Sequence, residues 1–182
     1  MLVFKDAGYD VISFDGPGQG TSLEDYKMPM THEWKKPVKS LLDYFNLNDI
    51  TLIGMSLGGH LALRAAAYEK RVKRVIAYDI LPDFFKVIMH QIIPVIHKTN
   101  PSIKDIEDFL IHGEAKKVNA LLNDLMQKSL MLEWGLKQGM HVTGSNSPYE
   151  FIHKIISYNT ANFSNLITQD VLLLAGQDDH YV

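Results

Sequence analysis

Apolar residues along this chain recur at two different spacings, and the places where one spacing gives way to the other outline its elements. Residues 50–55, Ile-Thr-Leu-Ile-Gly-Met, are almost continuously apolar, as in a strand buried on both faces of a parallel sheet. Shorter β-rich runs at 10–15, 72–79 and 170–175 predict further strands. Between them the spacing becomes helical. Trp34, Val38, Leu41, Leu42 and Phe45 share one face of a helix that tolerates Pro37 only in its first turn, and Leu57, Leu61, Ala65 and Tyr68 mark another over 57–70. Residues 1–7 read as the end of a helix closed by Gly8, where a left-handed cap favours glycine. Strands alternating with helices predict an α/β fold with a doubly wound, mostly parallel sheet.

Residues 81–169 break that alternation. Helical runs at 84–97, 103–112, 115–135 and 148–159 are separated by Pro101, Gly113, Gly139 and the cluster Gly144-Ser145-Asn146-Ser147-Pro148. This segment is far too long for an ordinary βα connection. It predicts an inserted helical cap over 81–169, with the core formed by 1–80 and 170–182. Phe85, Met89, Met131 and Trp134 at helical spacing read as the cap's own core, with the lining of an apolar pocket as the second reading.

Composition narrows the function classes. At 46% hydrophobic and 21% charged, the 182 residues match a globular protein rather than a disordered one. A net charge of −3, without a run of lysines and arginines, speaks against nucleic acid or an anionic membrane as partner. The absence of cysteine excludes disulfides, thiolate metal sites and a cysteine nucleophile. No apolar run approaches the roughly 20 residues needed to span a bilayer, and residues 1–10 lack a signal peptide's basic start and long apolar stretch. The expectation is a cytoplasmic protein acting on a small molecule, with its oligomeric state unspecified. Histidine spacings suggest no metal site.

The chemistry concentrates in Gly54-Met55-Ser56-Leu57-Gly58. By itself a Gly-x-Ser-x-Gly match more often marks an incidental glycine-rich turn. Placed between a buried strand and a helix, it becomes the nucleophile elbow, in which a strained turn exposes the serine and glycines let neighbouring backbone approach. The Leu57 N–H, at the helix start, is then a candidate oxyanion donor. In Asp15-Gly16-Pro17-Gly18-Gln19-Gly20 the glycines do not fall at the Gly-x-Gly-x-x-Gly spacing of a dinucleotide loop, so no cofactor is expected there.

These two motifs, with Gly59, resemble the α/β-hydrolase superfamily. Within it, Asp-Gly-Pro-Gly-Gln-Gly is similar to the branch of the FrsA-like proteins and 2,6-dihydroxypseudooxynicotine hydrolase, a carbon–carbon bond hydrolase. The resemblance implies a serine hydrolase forming an acyl-enzyme on an ester, thioester, amide or C–C bond. A serine needs a base and an orienting acid, in chain order Ser, Asp or Glu, then His. Gly176-Gln177-Asp178-Asp179 places the acid at Asp179, with Asp178 and Asp79 as alternatives. The one histidine after Asp179 is His180, too close to it in sequence to reach Ser56, so the histidine is expected beyond residue 182 and the second oxyanion donor before residue 1. A non-catalytic binding or regulatory module and an acyltransferase are the competing readings.

Overall fold

The computed structural model describes residues 2–96 and 102–177. Three parallel strands, β1 (Ile50–Met55), β2 (Val72–Tyr78) and β3 (Asp170–Leu174), lie side by side in that order. Ile53 pairs with Ile76, and Ile76 in turn with Leu172. Helices α1 (Leu2–Asp6), α2 (Gly20–Glu24) and α3 (Lys35–Tyr44) precede β1, and α4 (Leu57–Tyr68) connects β1 to β2. The parallel α/β arrangement therefore agrees with the alternation read from the sequence.

One layer of the core forms because α4 is small and apolar nearly all round. Ala65 and Ala66 are fully buried, so the helix lies close against Val72, Val75 and Ala77 of β2 while α3 supplies Val38 and Leu42 from the other side. Tyr68, assigned by spacing to the buried stripe, is instead 43% exposed, because Ala66 and Ala67 occupy the inner face of that last turn.

A second core belongs to five helices, α5 (Phe84–Ile96), α6 (Ile103–His112), α7 (Ala115–Met126), α8 (Leu130–Thr143) and α9 (Pro148–Ile155). Three begin at serine caps: Ser102, Ser129 and Ser147 accept the N–H groups of Asp105, Leu132 and Glu150, satisfying donors with no partner inside the helix. Leu110, Val118, Leu122, Leu132, Leu136 and Phe151 are completely buried at its centre. The run expected over 115–135 is two helices, since Ser129 caps a new one. Gly139, expected as a separator, lies within α8, where a Cβ would stand 2.3 Å from the Phe151 ring; its role is close packing.

Two further expectations differ. Residues 10–15 carry no strand, because a strand needs a partner and none of the described strands lies beside them; Val11, Ile12 and Phe14 remain 36–43% exposed. The glycine loop runs directly into α2, a short helix the sequence pattern did not announce.

The sheet face turned away from α4 is apolar and open: Ile53 is 47%, Met55 70%, Tyr78 40% and Leu172 51% exposed. Parallel sheets are ordinarily covered on both faces, and contiguous apolar patches drive association. The isolated 182-residue chain is therefore expected to bind an apolar dye and to associate with rising concentration. Leu172→Lys should lower both, measured by dye fluorescence and light scattering; unchanged scattering would show that this face is not the sticky one.

Candidate active site

Ser56 stands between the end of β1 and the start of α4 with φ 54° and ψ −121°, a backbone conformation that costs a residue with a side chain and persists only when its surroundings enforce it. Several contacts enforce it here. The Ser56 N–H donates to the Tyr78 carbonyl at 2.8 Å, while its own carbonyl accepts the N–H groups of Gly59 at 3.0 Å and Leu81 at 3.2 Å. Gly54 makes the turn possible, because a Cβ there would lie 2.1 Å from the Gly58 carbonyl oxygen. A Cβ on Gly59 would also be tight, 3.3 Å from the Ala77 Cβ, whereas a Cβ on Gly58 would meet nothing within 4 Å. Steric relief thus comes from Gly54 and Gly59, not from the symmetric pair the motif suggested.

The Ser56 side chain is exposed and makes no hydrogen bond among the described residues. Leu57 opens α4, so its N–H has no helical acceptor and remains available to an oxyanion. The arrangement presents a hydroxyl at a helix amino terminus, next to a developing-charge donor.

Of the acid candidates, Asp178 and Asp179 lie outside the described residues, as does His180. Asp79 follows β2 with φ 41°; its N–H donates to the Leu174 carbonyl at 2.6 Å and its Oδ1 accepts the Gly176 N–H at 2.8 Å. That tie across to the end of β3 joins residues 97 apart in sequence, and no local pattern signals it.

No described histidine hydrogen-bonds the Ser56 hydroxyl. His60, one turn beyond Ser56, is wholly buried against Phe163 and Tyr158 with ring centroids 5.3 and 5.9 Å away, and its ring nitrogens lack hydrogen-bond partners among the described residues. Burial foremost, and then the Arg64 charge, push its pKa down to about 4; the Leu81 backbone opposes this only weakly, without a hydrogen bond of ordinary geometry. His141 pairs through Nε2 with Glu24 at 2.9 Å, and His153 faces the carbonyls of Tyr149 and Ile111 at 2.9 and 3.0 Å. Both are tied to protein partners. The apolar residues weighed as pocket lining divide similarly, Phe85 and Met89 being core while Met131 and Trp134 are exposed.

His60 sets a pH dependence. Because protonation is harder in the folded chain, the unfolded chain binds more protons, and stability rises as pH increases from about 4 to 6.5. Between those limits the single group contributes on the order of 3 kcal/mol. In His60→Phe the slope of unfolding free energy against pH over this window should flatten; an unaltered slope would place the titration elsewhere.

Surface grooves among the described residues include one of ≈ 400 Å³ beside Asp49, Lys70 and Asp170 at the amino-terminal ends of the strands and one of ≈ 340 Å³ beside Glu24 and His141. Neither is lined by Ser56. Among the described residues no helix is long and apolar enough to cross a membrane.

Residues 2–182 match the family described as the alpha/beta hydrolase fold. The chain belongs to that family. Curated relatives are fungal hydrolases: hydrolyase poxO of Penicillium oxalicum is 26% identical over 167 residues, 85% of this chain and 37% of the relative. Hydrolase ORFZ of Pyricularia oryzae is 27% identical over 183 residues, 94% of this chain and 41% of the relative. The chain thus spans about two fifths of the length of these relatives. The crystal structure of MGS-M2, an alpha/beta hydrolase enzyme from a Medee basin deep-sea metagenome library, is similar with a TM-score of 0.44 and 17% identity, covering 81% of this chain and 54% of that one. The alpha/beta hydrolase membership corresponds to the resemblance drawn from the two glycine motifs.

Proposed function

We propose that the whole protein is a serine hydrolase in which Ser56 attacks a carbonyl carbon and carries the acyl group until water releases it. The observation that carries this reading is the φ 54°, ψ −121° turn lifting an exposed hydroxyl from the end of β1 to the start of α4. The Ser56 Oγ bonds to the carbonyl carbon as its proton passes to a histidine. The Leu57 N–H steadies the resulting oxyanion, and collapse expels the leaving group with that proton. In this reading Asp179 orients the histidine that takes the proton, and a second N–H joins that of Leu57 in holding the oxyanion.

Helices α5 to α9 act as the cap that selects the substrate. Their separate core, centred on Phe151 and Leu136, supports treating residues 81–169 as a unit distinct from the sheet layer. The Asp15–Gly20 motif supports placing the protein near the carbon–carbon hydrolase branch, so a small ketone or diketone cleaved to an acid stands beside esters, thioesters and amides as a substrate class. The cytoplasm is the compartment proposed.

Incubating the whole protein with p-nitrophenyl butyrate tests this reading. The expected result is a burst of p-nitrophenol equal to the enzyme present and an intact mass raised by one butyryl group. Neither burst nor turnover, on that ester or on a panel of thioesters and β-diketones, would favour the non-catalytic module.

A further inference from the structure

Four hydrogen bonds converge on the short stretch that leaves β2. The Tyr78 carbonyl accepts the Ser56 N–H at 2.8 Å, and the Leu81 N–H donates back to the Ser56 carbonyl at 3.2 Å. Between them, Asp79 faces the other way: its N–H reaches the Leu174 carbonyl at 2.6 Å and its Oδ1 takes the Gly176 N–H at 2.8 Å. Residues 78–81 therefore hold the nucleophile turn with one pair of bonds and the exit of β3 with the other.

Asp79 makes its pair at φ 41°, in the left-handed region where aspartate and asparagine are tolerated better than most residues with a Cβ. A Cβ on Gly176 would be 3.9 Å from Asp79 Oδ1, an ordinary contact. It is the backbone N–H of Gly176, not its lack of a side chain, that Asp79 recognises. The backbone N–H of Asp79 is thus already committed to the last residue of β3, and one carboxylate oxygen to Gly176 just beyond it.

We propose that Asp79 is a positioning residue: it fastens the chain at Gly176, three residues before Asp179 in sequence, at a set distance from Ser56. This rests on the serine-hydrolase reading and deepens it, assigning Asp79 to hold the acid's loop rather than to be the acid. The carboxylate is a stronger acceptor than a neutral amide, but the tether needs an oxygen acceptor and not a charge.

Two variants of the whole protein separate these roles. Asp79→Asn keeps both the acceptor and the tolerated backbone angle, so kcat is expected to fall only about threefold, in keeping with a neutral rather than charged acceptor. Asp79→Gly keeps the angle and removes the acceptor, and a loosened acid loop is expected to lower kcat by about 100-fold, the scale of an ångström-level misplacement, with KM little altered. Hydrogen–deuterium exchange of the peptide containing Gly176 should quicken in Asp79→Gly and much less in Asp79→Asn, a readout independent of turnover. If Asp79→Asn loses as much kcat as Asp79→Gly and displaces the acidic limb of the pH profile, the charge itself acts and Asp79 is the acid, which overturns the proposal. Wild-type kcat or unchanged exchange in Asp79→Gly overturns it as well. Labelling of Ser56 by a fluorophosphonate in both variants keeps the nucleophile assignment separate; its absence in the unmutated protein would remove that assignment and this proposal with it.

Discussion

Ser56→Ala in the whole protein is expected to lower kcat by about 10⁴- to 10⁶-fold, the range seen when a hydrolase loses its nucleophile, while thermal unfolding shifts little. The two halves have one cause. The Ser56 side chain is exposed and makes no hydrogen bond among the described residues, so removing its oxygen deletes little that holds the fold. Alanine also inherits the same positive φ, leaving the turn, its bonds to Tyr78 and Leu81, and the Leu57 N–H in place. Residual turnover then reflects the oxyanion donor and substrate binding alone. Steady-state kinetics with a chromogenic ester decide the matter. A loss under tenfold would mean that the hydroxyl is a bystander in the turn.

Gly54→Ala should destabilise the chain by about 4 kcal/mol or more, at the far end of what single substitutions do. The added Cβ would sit 2.1 Å from the Gly58 oxygen, 2.3 Å from its carbonyl carbon and 2.7 Å from the Gly59 nitrogen. All three are backbone atoms in the first turn of α4 and cannot rotate away as a side chain would. Relief requires α4 to move off β1, which opens the layer where Ala65 and Ala66 are fully buried. Gly58→Ala is the control: its Cβ meets nothing within 4 Å, and an alanine in a helix is favoured over glycine by up to about 1 kcal/mol. Chemical denaturation of both variants should show one large loss and one small gain. Equal effects would mean that the turn is not packed as described.

The parts of the fold legible in the sequence are those whose cause is local. Residues 50–55 are mostly apolar because β1 pairs along its length with β2 in a parallel sheet and packs one face under α4, and 57–70 are alanine-rich because α4 is packed on most sides. The Ser56 turn was readable for the same reason: Gly54 must be glycine for contacts made within five residues. What escaped depends on distant partners. Residues 10–15 have strand composition, yet no described strand lies beside them. Gly139 looked like a breaker and is a seat for the Phe151 ring, a fact set by α9 and not by α8. The break between α7 and α8 falls at Ser129, a cap that resembles any other serine until the Leu132 N–H is seen to need it. Asp79 was visible as a carboxylate after a strand, but its bond to Gly176 joins elements separated by the whole helical segment, so its partner had no sequence signature.

The account rests on the hydroxyl of Ser56 being a reactive nucleophile raised on a strained turn. Treating the whole protein with a fluorophosphonate and sequencing its peptides by mass spectrometry tests that most directly. The account predicts a single adduct on the peptide containing Gly54-Met55-Ser56-Leu57-Gly58, at Ser56, abolished in Ser56→Ala. Labelling at another serine, or none in a folded and substrate-active protein, would contradict it.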